Sequence, residues 1–378
     1  MSSMERTTKT RLGRIPLIVV GIACLVGGVW GGLVRLPLNL PLPGGNANWL
    51  TFHGPLMVCG FLGTVVALER AVGLGKWWTY AAPMLTGAGA VMFLAGGLGR
   101  IPLYLILAGS VVFWTVTLQV VRLQRALFTT LMSAGAFSWV AGNILWAADW
   151  PFPRVAPWWI AFLALTIIGE RLDLSRFQRQ SRWSRPTLAI ALSAFGVGLV
   201  LTSIHQVAGE CIMGLGILAC GAWLFRFDIA RRSLKQHGLP LFMGLWLLVG
   251  FGWLCVAGLL MIWASPLSSG WLYDAALHSF FVGFVVSMIF AHAPIIFPAV
   301  LVLQPRFNPR FHLHAVVLQA GLLLRVMGDL THWLPGKRVG AIISAVALLM
   351  FLVNTVSSFV TRQPESGLTG ALQPAPSR

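Results

Sequence analysis

Residues 15–34 read IPLIVVGIACLVGGVWGGLV, twenty residues without a charged side chain. That is the length a helix needs to cross ~30 Å of hydrocarbon. It exceeds a signal-peptide core and has no clear small-x-small cleavage site, so the reading is an uncleaved first span behind the basic segment 1–14. Similar runs recur along the chain at 50–68, 78–98, 101–121, 127–148, 155–170, 187–204, 207–225, 239–263, 271–297, 312–330 and 339–360. The expectation is an all-α integral membrane protein, a bundle of about 12 transmembrane helices. The polytopic domain covers 15–360, and the polar tail 361–378 is expected to be disordered.

Composition agrees. Of 378 residues 57% are hydrophobic and 10% are charged, against roughly 25% charged in an ordinary soluble domain. The net charge of +17 would suit nucleic acid, but the basic residues sit in short loops between the spans, with no basic helix outside the membrane. Nucleic-acid binding is therefore excluded. The charge reports orientation instead. One side collects Arg6, Lys9, Arg11, Arg14, Arg70, Lys76, Arg122, Arg125, the run from Arg171 to Arg185, Arg226, Arg231, Arg232, Lys235, Arg306, Arg310, Arg362 and Arg378. The other holds Arg35, Arg100, Arg154, Lys337 and Arg338. So uneven a split predicts an even number of spans with both termini cytoplasmic. The five cysteines form no CxxC pair and read as small buried hydrophobes. Tryptophans near span ends read as interface anchors.

Ionisable side chains at membrane depth are costly and mark functional candidates. On the outer side His53 opens the second span, and His278 lies two turns into the tenth, at similar depth. Asp274 stands one turn above His278. Arg325 and Asp329 form an i,i+4 pair in the eleventh span, and Asn143 is a further neighbour by depth. Two neutral imidazoles with an arginine nearby suit a haem, whose iron takes axial nitrogens and whose propionates take a guanidinium. A lone helical histidine also satisfies a backbone carbonyl, and that alternative stays open here. On the inner side His292 follows His278 by close to four turns, and His312 and His314 open the eleventh span near the same level. Imidazole-rich sites suit copper, iron or zinc, although His312 and His314 also fit as solvated headgroup residues facing opposite ways.

Glu69-Arg70 and Glu170-Arg171 each end a span, in the similar strings FLGTVVALERAVGL and FLALTIIGERLDLSRF. They read either as interfacial ion pairs or as proton-uptake carboxylates leading toward His292. His205, Glu210 and His237 read as solvated.

The segment from Trp49 to Lys76, with a histidine opening a span, then Met57, Gly60-Phe61 and a charged exit, resembles the second span of the NnrS proteins. The segment through His278, Gly283, Met288, Ile289 and Ala291 is similar to their later histidine-bearing span. His53-Gly54-x-x-Met57 is also distantly similar to the catalytic subunit of haem-copper oxidases. The resemblance covers about sixty residues, and Thr51 and Phe52 stand where the family has its first histidine. It implies a multi-pass protein of the bacterial cytoplasmic membrane with a haem (b-type) or copper site at His53 and His278, in redox or nitric-oxide handling with a respiratory electron donor, to which the depth reading adds Arg325 for the haem propionates. A proton-coupled secondary transporter and a non-catalytic scaffold subunit of a respiratory complex remain alternatives.

Overall fold

A computed structural model describes residues 13–97, 99–176, 181–301 and 307–360 of the protein. The expected N-terminal segment 1–14, except its last two residues, and the expected tail 361–378 lie outside the described residues.

The described chain folds as helices α1 (Ile15–Val34), α2 (His53–Leu74), α3 (Ala81–Leu94), α4 (Ile101–Leu123), α5 (Leu127–Ala147), α6 (Phe152–Ser175), α7 (Ser184–Thr202), α8 (Gln206–Phe227), α9 (Leu239–Trp263), α10 (Gly270–Ile296), α11 (Phe311–Leu330) and α12 (Leu334–Val360). No strand interrupts them among the described residues. Ten of these helices, all but α3 and α5, are long and apolar enough to cross a membrane. The two others mark where hydropathy and structure part. α3 has 14 residues, because the stretch before it, Trp77–Tyr80, winds as a 3₁₀ turn. In α5, Thr129, Thr130, Ser133, Ser138 and Asn143 dilute a 21-residue helix that is otherwise apolar.

Helices adjacent in sequence pack side by side, most extensively α7 with α8, α11 with α12 and α5 with α6. Small residues make the closest approaches, as expected where lipid removes the usual hydrophobic drive between helices. On α12, a methyl group at Gly340 would stand 2.4 Å from the backbone nitrogen of Arg325. On α11, one at Gly328 would stand 2.5 Å from that of Lys337. The two glycines draw Arg325 and Lys337 onto one seam. The outside of the bundle is apolar: Val19, Met84, Ile190, Leu259, Leu323 and Leu349 are all exposed, a surface suited to hydrocarbon and aggregation-prone in water.

The helices that bear His53 and His278 depart from α geometry just after those residues. Leu56–Gly63 in α2 and Ser279–Val286 in α10 are π-helical. Such wide turns are rare and frequent at functional sites. Each holds a glycine that admits a tryptophan: a methyl at Gly63 would stand 2.3 Å from the Trp139 ring, and one at Gly283 2.4 Å from the Trp253 ring.

Candidate functional site

His53 and His278 meet across the bundle. Their ring centres are 6.5 Å apart and their planes differ by 11°. The Nδ1–H of His53 donates to the carbonyl of Gly28 at 2.5 Å, and the Nδ1–H of His278 donates to that of Asp274 at 2.9 Å. A carbonyl only accepts, so each neutral ring keeps its proton on Nδ1 and its lone pair on Nε2. Metal-binding histidines are commonly oriented in this way. Two imidazoles on opposite sides of one iron have ring centres about 6.2 Å apart, from ~2.0 Å for each metal–nitrogen bond and about 1.1 Å from nitrogen to ring centre. The observed separation of 6.5 Å is close to that value, and both rings have an Nε2 that no protein group occupies among the described residues.

The His53 ring lies flat against α1. A methyl at Gly32 would stand 2.7 Å from its Cε1 and 3.3 Å from its Nε2. Gly32→Val is therefore expected to displace the ring and lower any metal or haem content by about tenfold or more while leaving the fold intact. Metal and haem quantification, with size-exclusion chromatography as the folding control, checks this.

Around the pair stands a ring of charge. Asp274 binds Arg325 at 3.0 Å and Lys337 at 2.9 Å, and Lys337 also binds the buried Asp329 at 2.6 Å. The Asp274 carboxylate comes within 3.2 Å of His278 Nδ1 as well. The expected i,i+4 pairing gives way to cross-helix pairs, because Gly340 and Gly328 bring α12 close enough for Lys337 to take Asp329. Arg325 turns instead to α10. Asn143 does not join this cluster. Its side-chain oxygen accepts from Trp159 Nε1 at 3.1 Å and faces the thiol of Cys59 at 3.6 Å.

At the opposite end of the bundle Arg70 pairs with Glu170, so the two similar strings meet across α2 and α6. Arg171 is 2% exposed and makes a bidentate pair with Asp228 at 2.9 and 2.6 Å. It also donates to His292 Nε2 at 3.1 Å, while His292 Nδ1–H donates to the carbonyl of Met288 at 2.7 Å. Both nitrogens of His292 are thus engaged.

His312 accepts from Trp246 Nε1 at 3.3 Å and packs edge-on to Phe242. His314 turns the other way, fully buried among Phe290, Phe311 and Phe351, and is bonded to Asn354 at 3.1 Å. The three inner histidines have separate partners. Among the described residues no group of three His, Cys, Asp or Glu side chains is placed to hold a metal.

Between the two ends Trp253 donates to Gln319 at 2.6 Å and Gln319 to Ser287 at 2.9 Å, a polar rung across α9, α11 and α10. The sequence reading missed this rung, Lys337 and the Arg171–Asp228 pair. Asp228, a lone acid among Arg226, Arg231 and Arg232, was the available signal. Glu210, expected to be solvated, is buried and accepts from Gln206, Ser265 and the backbone of Leu267, each at 2.8 Å. It ties α8 to the segment before α10.

Over residues 14–360 the chain matches the family described as Domain of unknown function (DUF8744), and it belongs to that family. No curated protein matches it in sequence.

Proposed function

We propose that this chain is a twelve-span protein of the bacterial inner membrane, with both termini cytoplasmic, that holds a b-type haem between His53 and His278. We further propose that it acts in redox chemistry, in the handling of nitric oxide or related nitrogen oxides. The observation that carries the haem is the His53–His278 pair: near-parallel rings at 6.5 Å, each tied through Nδ1 to a carbonyl. Arg325 and Lys337 supply positive charge beside it for the propionates. When bound, the haem would supply a one-electron centre. The chain's own part is to fix both ring tautomers, to keep α1 close through Gly32, and to balance charge with Asp274 and Asp329.

Twelve spans follow if α3 and α5 cross with the ten longer helices. Their support is the alternation of basic loops, which requires both, and the packing of α3 on α4 and α5 on α6. The nitrogen-oxide assignment rests on the resemblance to the NnrS proteins. Copper has less support, since His292, His312 and His314 each have partners of their own. A proton-coupled transporter is the second reading, favoured by the interruption of α2 and α10 beside the Asp274–Arg325–Lys337–Asp329 network.

Purification from haem-replete cells is expected to yield a coloured protein with a Soret band and about one haem per chain by extraction. A colourless protein free of iron would sink the haem reading and leave the transporter as the alternative to assay in liposomes.

A further inference from the structure

Away from the histidine pair, at the Glu69 end of the bundle, α1, α2, α6, α10 and α12 enclose a cavity of about 120 Å³. Its walls are apolar, with Ile18, Leu62, Val285, Ile289 and Leu352 among them. At one end stand Glu69, Glu170 and His292. Arg70 is committed to Glu170, and Arg171 to Asp228. Glu69 has no hydrogen bond or ion pair among the described residues. Arg70 attracts it at longer range, but a carboxylate in a spanning helix that faces an apolar cavity without a direct hydrogen bond is only partly compensated.

We infer that this cavity binds a membrane quinone, its ring oxygens set against the carboxyl groups of Glu69 and Glu170, with His292 held in place beside them by Arg171 and Met288. Three features select that chemistry. The space falls below the ~300 Å³ from which drug-sized pockets begin, so it takes a single ring while a tail runs out along the lipid-facing surface of α1 and α12. At the polar end Arg70 is paired with Glu170 and Arg171 with Asp228, so neither guanidinium is left to hold a fatty-acid carboxylate or a phospholipid phosphate. What that end favours is a neutral head that donates to a carboxylate as the quinol and accepts from a protonated side chain as the quinone. Glu69 is the residue placed to exchange the proton that this difference requires. The inference goes beyond the haem proposal and does not depend on it.

The test titrates purified protein in detergent with a short-chain ubiquinone or menaquinone analogue by isothermal calorimetry, with haem content read on the same samples. Saturable binding to the wild type is expected, with loss of binding in Ile289→Trp and Leu62→Trp, which fill the cavity from α10 and α2. Glu69→Gln should weaken quinol binding by about tenfold, and Ile190→Trp on the exposed face of α7 should leave binding unchanged. No binding to the wild type, or equal binding to whichever filled variant elutes as a monodisperse species, overturns the inference. Tighter binding of a fatty acid or a lipophilic amine than of the quinone also overturns it. Because haem is measured separately, quinone binding by a haem-free protein would condemn the haem proposal alone, and the converse result would condemn this one alone.

Discussion

Asp228→Ala is expected to destabilise the folded protein by about 3–5 kcal/mol, since it leaves the Arg171 guanidinium buried and unpaired. Asp228 accepts both bonds of that guanidinium and also the backbone N–H of Ala230, at 2.7 Å. Its loss therefore frees three donors at the junction of α6, α8 and the short helix Ala230–Ser233. A hydrophobic replacement of the whole pair removes the stranded charge as well as its partner. Arg171→Met/Asp228→Leu should accordingly recover much of the loss, as buried ion pairs replaced together often do. Thermal unfolding in detergent, followed by circular dichroism, distinguishes the cases. Equal midpoints for wild type and Asp228→Ala would show that Arg171 is reached by water or a second acid. The same network holds His292, so the single variant should also loosen the polar end of the cavity.

The second large effect concerns the histidine pair. If the two rings hold one haem, as proposed, His53→Ala and His278→Ala should each abolish its six-coordinate, low-spin spectrum, because each would remove one of the two imidazoles that would hold the iron. Asp274→Asn should act less severely. It keeps the backbone carbonyl that orients His278 but removes charge that holds Arg325 and Lys337, and changes of this kind ordinarily cost 10- to 100-fold in metal affinity, about 1.4–2.8 kcal/mol. Retention of the full spectrum in either alanine variant would assign the ligands elsewhere.

Much of the helical order was legible because lipid imposes it. A span must satisfy its own backbone, so apolar runs near twenty residues announce helices in the sequence. The runs at 239–263 and 312–330 match α9 and α11 closely. Depth was legible for the same reason, and it placed His53 beside His278. What hydropathy could not show was local winding and side-chain choice. The four-turn spacing from His278 to His292 presumes α geometry, yet eight residues between them are π-helical, set by glycine and tryptophan packing that no periodicity records.

Charge partners were hidden likewise. Lys337 reads as a loop residue until Gly328 brings its backbone against α11. Arg171 reads as a loop cation, although the fold buries it. Glu69 and Glu170 were visible as helix-end acids, but the cross pairing of Arg70 with Glu170, which leaves Glu69 facing the cavity, depends on how α2 and α6 are packed.

The central claim is that His53 and His278 share one iron, and the orientation of their rings supplies its most direct test. If both rings bound one iron, imidazole planes only 11° apart would act on the same d orbital and lift the near-degeneracy of the pair that perpendicular rings would preserve. Electron paramagnetic resonance of the ferric wild-type protein at low temperature should therefore give a rhombic low-spin signal that integrates to about one spin per chain. A high-spin ferric signal, or no haem signal from a folded protein, would contradict the account.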